Sequence, residues 1–193
     1  MRSWDALPSK ALEACGEASA QFIALGIEDY RDAARFVNQL PYGRNADRAD
    51  FRLVIPEHRG TCSTKHALLA ALAIEQHLPV HLTLGIYEMS ERNTPGVGAV
   101  LDSHSLKFVP EAHCYLMYDA KRIDVTRSAA SPTEAIARFL HEETITPPQI
   151  GEYKVGMHQR FMREWVARTM PQRSWEQVWK IREECIAALT EPR

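Results

Sequence analysis

Apolar residues recur at helical spacing twice within residues 8–40, and the second run places Tyr30, Ala33, Ala34, Phe36, Val37 and Leu40 on one helix face. Two helices are therefore predicted before Pro41. Residues 41–48 read as a polar loop, and the segment Arg52-Leu53-Val54-Ile55 is too short to classify. From Ala67 to Ile74 the chain is apolar nearly all round, which predicts a buried helix ending before Pro79. Residues 80–89 then alternate Leu82, Leu84 and Ile86 with His81, Thr83 and Tyr87, the pattern of a half-buried strand.

Residues 90–107 lack periodicity and contain Asn93-Thr94-Pro95-Gly96-Val97-Gly98, so a long connection is expected there. A substrate-covering loop and a merely tolerated excursion are equal readings of it. Residues 113–118 and 121–125 have strand composition, and Asp119-Ala120 between them predicts a two-residue hairpin turn. The strand at 80–89 should pair with this hairpin. Beyond it the chain reads as helical. Ser131-Pro132-Thr133-Glu134 and Ser174-Trp175-Glu176-Gln177 are both helix-start signals. Met157, Phe161, Trp165 and Val166 mark one face of an intervening helix, and Trp175, Val178, Trp179 and Ile181 load the last one. The fold class is α+β, with a buried helix against an antiparallel sheet and helices flanking it on both sides in sequence.

Composition adds exclusions rather than detail. The 193 residues suffice for one domain with a sizeable core, and a net charge of −2 leaves no footprint for nucleic acid. Met-Arg-Ser-Trp-Asp-Ala-Leu-Pro lacks the apolar centre of a signal peptide, and no run approaches a membrane span, so a cytoplasmic protein without membrane contact is expected. Cys15, Cys62, Cys114 and Cys185 are widely separated, which favours reduced thiols over disulfides.

Cys62 is the first candidate for chemistry. It follows Gly60-Thr61, precedes Ser63 and opens the buried helix, with Thr61 or Ser63 available as its cap. A thiol at a helix N-terminus meets the positive end of the macrodipole, which favours the nucleophilic thiolate, and the first N–H groups could hold an oxyanion. The alternative is a small hydrophobe in the core.

His113 and Asp124 supply the base and its orienter. A turn at Asp119-Ala120 pairs Tyr118 with Lys121, so Tyr115 faces Asp124 and His113 becomes its diagonal neighbour on the same sheet face. Such neighbours lie about 7–8 Å apart at Cα, within reach of a carboxylate–imidazole hydrogen bond. Slipping the register by one residue would put His113 and Asp124 on opposite faces.

With Cys62, His113 and Asp124-Val125-Thr126 in this order and setting, the chain resembles the transglutaminase-like superfamily, whose architecture is papain-like. In that family the Cys begins a buried helix, and the His and Asp lie on following strands, the Asp within an Asp-x-Thr ending. The resemblance covers roughly residues 38–127 and implies a catalytic core there, with a C-terminal helical extension at about 131–190, both within a single domain of residues 1–193. Two features depart from the family pattern: Tyr115 stands where a Trp often follows the His, and the interval from His113 to Asp124 is short. By analogy with papain-like enzymes, Asn38 and Gln39 are weak candidates for an oxyanion donor.

Metal binding is the competing chemistry, since Cys62 and His66 are spaced i,i+4 and His113-Cys114 adds two soft ligands. Adjacent strand residues point to opposite faces, so His113 and Cys114 would not reach one ion, and His66 is expected in a supporting or packing role. His104 lies in the 90–107 connection as a weak alternative base. The residues predict a cysteine-dependent hydrolase or acyltransferase acting on the amide, ester or thioester carbonyl of a small-molecule or peptide acyl substrate, with catalytic Cys62, His113 and Asp124 and no cofactor or metal. The alternative is a non-catalytic transglutaminase-like binding or scaffold module. The aromatic-rich C-terminal helices are expected to pack internally, although they could also support a homo-oligomer.

Overall fold

The computed structural model describes residues 3–126, 136 and 138–189. Helices α1 (Glu17–Ala24), α2 (Tyr30–Gln39) and α3 (Cys62–Glu75) precede strand β1 (His81–Met89), short helix α4 (Gly98–Ser103) and the hairpin of β2 (Val109–Tyr118) and β3 (Lys121–Ile123). Strand β4 (His141–Ile145) and helices α5 (Glu152–Thr169) and α6 (Trp175–Ala188) follow. The sheet is four-stranded and antiparallel in the order β3-β2-β1-β4, so the class is α+β. Among the described residues no helix is long and apolar enough to cross a membrane.

Two compact units make up the molecule. The first comprises residues 1–84, 113–131 and 143–152. Here α1 and α2 pack on α3, whose apolar circumference buries Leu68, Leu69 and Leu72 completely. Tyr30, also fully buried, donates its hydroxyl to the Leu69 carbonyl at 3.1 Å, so its one polar atom is satisfied inside the core. At the far end of α3, the Glu75 carboxylate accepts the Ala18 and Ser19 N–H groups and thereby caps α1.

The second unit comprises residues 85–112, 132–142 and 153–193. Its core joins Tyr87, Met89, Val97 and Leu101 to Met162, Trp165, Val178 and Ile181, with α4 packed on α6. Ser174 and Gln177 cap α6 reciprocally, as their sequence predicts. The start signal at Ser131–Glu134 lies outside the described residues.

Three expectations need correction. Strand β1 is buried on both faces except at His81 and Glu88, because Thr83 and Tyr87 on its nominally polar side are also covered. Residues 90–107 are a packed part of the second unit: they form α4, bury Val97, Leu101 and Leu106, and are tied by Glu91 accepting the Gly96 and Gly98 N–H groups and by Tyr87 hydrogen-bonded to Thr94. A six-residue helix gives too few turns for periodicity to reveal it. Finally, the region after the hairpin is not wholly helical. His141-Glu142-Glu143-Thr144-Ile145 forms the outer strand β4, whose polar composition suits a sheet edge while concealing it from a hydrophobic pattern.

Candidate active site

Thr61 approaches α3 in an extended conformation, and its hydroxyl accepts the Thr64 N–H while the Thr64 hydroxyl accepts the Thr61 N–H at 3.0 Å. This reciprocal cap makes Cys62 the first residue of the helix. The Thr64 hydroxyl donates onward to Asn45 Oδ1 at 2.8 Å, and Asn45 Nδ2 donates to Glu57 and to the Arg59 carbonyl, which fastens residues 45–59 to the start of α3. Gly60 is required by close approach: a Cβ there would lie 2.9 Å from Lys65 Cγ and 3.0 Å from Thr64 Oγ1.

The hairpin carries the other two groups. Its register pairs Tyr118 with Lys121, Met117 with Arg122 and Leu116 with Ile123, as the turn position predicts. Asp119 and Ala120 both adopt left-handed conformations, φ 49° and 56°, the requirement of a type I′ turn. His113, Tyr115, Arg122 and Asp124 consequently share one face, although β3 ends at Ile123 and Asp124 stands just past the ladder. The Tyr115 ring lies nearly parallel to that of His113, and the Arg122 guanidinium sits 5.9 Å from the Tyr115 centroid.

The structure brings Cys62, His113 and Asp124 together. His113 Nε2 is 2.7 Å from Asp124 Oδ2, and the ring also hydrogen-bonds the Cys62 side chain, for which Nδ1 is the remaining nitrogen. Asp124 Oδ1 accepts the Thr126 N–H at 2.8 Å, so each carboxylate oxygen has a donor. Cys62 and His113 are 8% and 9% exposed, whereas the Asp124 side chain keeps 45% of its surface open, so solvent screens part of its attraction for the ring. Burial opposes charge on His113, yet Asp124 and then Cys62 outweigh it and raise the ring well above its ordinary value. Burial likewise pushes the Asp124 carboxyl up, and His113 reverses this and holds it well below the usual carboxylate range. A charged imidazole between a carboxylate and a sulfur is an arrangement that favours the thiolate over the thiol.

Two further buried polar residues of α3 meet this site. His66 is fully buried, with Nδ1 2.7 Å from the Cys62 carbonyl oxygen and Nε2 accepting the Val125 N–H at 2.9 Å. Lys65, also fully buried, donates to the Leu40 carbonyl at 2.6 Å and to that of Thr126 at 3.0 Å. Burial lowers the Lys65 ammonium to about 8, against the pull of Asp124 and Cys62. Their sequence signal is a Lys-His pair inside a helix that is otherwise apolar all round, since buried polar groups must find partners. The remaining candidates lie as follows: His104 belongs to the second unit, 2.9 Å from Glu184, Asn38 is buried and Gln39 exposed in the last turn of α2, and Cys114 is buried.

Comparison of the chain with protein-family models, with curated proteins and with solved structures gives no match.

Proposed function

We propose that the chain is a cysteine-dependent hydrolase or acyltransferase of transglutaminase-like type, with a papain-like core and Cys62, His113 and Asp124 as its triad. The observation that carries this reading is the His113 ring, hydrogen-bonded on one side to Asp124 and on the other to a thiol at the N-terminus of a buried helix. In the first step the Cys62 proton moves to His113 Nδ1, and the thiolate attacks an amide, ester or thioester carbonyl carbon. The positive end of α3 lies beside the negative charge that develops there. Collapse of the tetrahedral species breaks the bond to the leaving group, which takes the proton from His113 and leaves a thioester on Cys62. Water or an amine then attacks that thioester, His113 accepts the attacking group's proton, and the thiol is restored by its return. Water makes the reaction hydrolysis and an amine makes it acyl transfer. No step draws on a cofactor.

The test is the rate of Cys62 alkylation against pH. Cys15 is exposed and would also react, so Cys15→Ser is the background. Cys62 should alkylate rapidly well below pH 8.5, roughly the value at which a free thiol ionises, and His113→Ala should move the profile up to that of a free thiol. A Cys62 that reacts no faster than a model thiol, with no effect of His113→Ala, would exclude catalysis and leave a binding module.

A further inference from the structure

The ladder between β2 and β3 ends at the Leu116–Ile123 pair, and Asp124, Val125 and Thr126 follow it in sequence. We infer that His66 and Lys65 are positioning residues, a clamp by which the helix bearing the nucleophile also carries the orienter: consecutive side chains of α3 grip the N–H of Val125 and the C=O of Thr126, the two residues after Asp124. This rests on reading Cys62, His113 and Asp124 as a catalytic triad.

The hydrogen-bond pattern fixes the state of His66. A backbone N–H can only donate, so Nε2, which receives Val125 N–H at 2.9 Å, must carry a lone pair. The proton of the neutral ring is then on Nδ1, and it is donated to the Cys62 carbonyl at 2.7 Å. One neutral tautomer satisfies both contacts and joins the backbone of the nucleophile to the backbone beside the orienter. The charged and polar groups that face this ring agree with neutrality. Its complete burial comes first, and the His113 ring at 6.2 Å between centroids and the neighbouring Lys65 act in the same direction, against Asp124 and the Cys62 carbonyl. The approach of Asp124 Oδ1 to Nε2 at 3.6 Å is accordingly not an ion pair, because that nitrogen bears no proton.

Lys65 adds the second grip. Its ammonium joins the Thr126 carbonyl to the Leu40 carbonyl at the end of α2, so the chain after Asp124 is tied to two helices. The rival account is a histidine that merely satisfies its own polar atoms in a core. It predicts a loss of stability on substitution, but no change in the behaviour of Cys62 once the protein is folded.

The experiment begins with nitrogen NMR of the histidines in the unsubstituted protein near neutral pH, which needs no variant to fold. His66 should be the Nδ1–H tautomer, with Val125 N–H slow to exchange; an Nε2–H or doubly protonated His66 overturns the inference. His66→Leu should then lower Cys62 alkylation below pH 7 by about 10-fold or more and raise the pH at which the thiol becomes reactive, since small misplacements of catalytic groups cost that much. His66→Gln, whose amide can donate at one atom and accept at the other, should restore most of the rate. If the unsubstituted Cys62 is reactive and His66→Leu, folded, keeps the same alkylation profile, the clamp inference fails while the triad stands. If the unsubstituted Cys62 is unreactive, the triad reading fails, and with it the clamp as a positioning device for catalysis.

Discussion

His113 Nε2 stands 2.7 Å from Asp124 Oδ2, while Oδ1 of the same carboxylate accepts the Thr126 N–H at 2.8 Å. Asp124→Asn separates these two functions. The amide oxygen can keep the Thr126 contact, but the NH2 then faces His113 and requires a lone pair at Nε2, which moves the ring proton to Nδ1, toward Cys62. That tautomer cannot take the thiol proton. Alkylation of Cys62 near pH 6 should fall on the order of 10²-fold with the fold intact, since a thiol that ionises at about pH 8.5 is almost wholly protonated there. A folded Asp124→Asn variant with an unchanged rate constant would show that Asp124 does not orient the ring.

Ala120 occupies the second central position of the β2–β3 turn at φ 56°, a left-handed conformation that costs an L-residue with a Cβ roughly 1 kcal/mol and costs glycine almost nothing. The side chain is exposed, so no packing compensates. Ala120→Gly should raise the urea midpoint by the equivalent of about 0.5–1 kcal/mol, the increased freedom of the unfolded chain offsetting part of the gain. A lower midpoint would mean that the turn is not under the strain that its φ angles imply.

How far the site was legible in the sequence depended on how local each determinant is. Thr61, Cys62 and the apolar run behind them fix a helix start within a few residues, and Asp119-Ala120 fixes the register that puts His113 and Asp124 on one face. What escaped is tertiary or weakly patterned. Helix α4 is only six residues long, and β4 carries His141, Glu142 and Glu143 at an edge where water takes the place of core contacts. Lys65 and His66 each have one backbone partner about sixty residues away, at Thr126 and Val125, for which no spacing rule exists, although their position in a buried helix shows that partners are needed.

His66 gives the protein a predictable response to acid. Burial holds the ring from its ordinary 6.5 down to about 4. The unfolded chain therefore takes up this proton as pH falls through 6.5, whereas the folded chain does so only near 4, and stability declines with falling pH across that window. The full shift corresponds to roughly 3 kcal/mol. His158, also lowered by burial, adds to the decline with the same sign. His113 does not contribute there, because its raised value leaves it charged in both states below 6.5. His66→Gln should flatten the dependence between about pH 6.5 and about pH 4, measured as urea midpoints at several pH values. Parallel curves for the two proteins would show that the ring is charged in the folded state.

Within the second unit, Glu111 on β2 accepts from Arg182 on α6 through two hydrogen bonds, 2.5 and 2.6 Å, with side chains only 8% and 14% exposed. Burial would raise the Glu111 carboxyl, and Arg182 outweighs it and holds the group low. Arg182→Met retains an apolar side chain near the Trp179 ring, now 5.3 Å from the guanidinium, but leaves a buried carboxylate without its cation. The loss should be about 3–5 kcal/mol near neutral pH. The pH dependence supplies the sharper check. Without Arg182, burial is opposed only by the lesser pull of His158 and Lys154 and raises Glu111 above its ordinary 4.5, so the folded variant binds a proton that the unfolded chain does not, and its deficit should shrink as pH is lowered toward 4.5. Adding Glu111→Gln should recover part of the loss at neutral pH and abolish that dependence, because no charge is then left unpaired. If chemical denaturation instead gives the same deficit at every pH in both variants, Arg182 acts through packing on Trp179 and not through its charge.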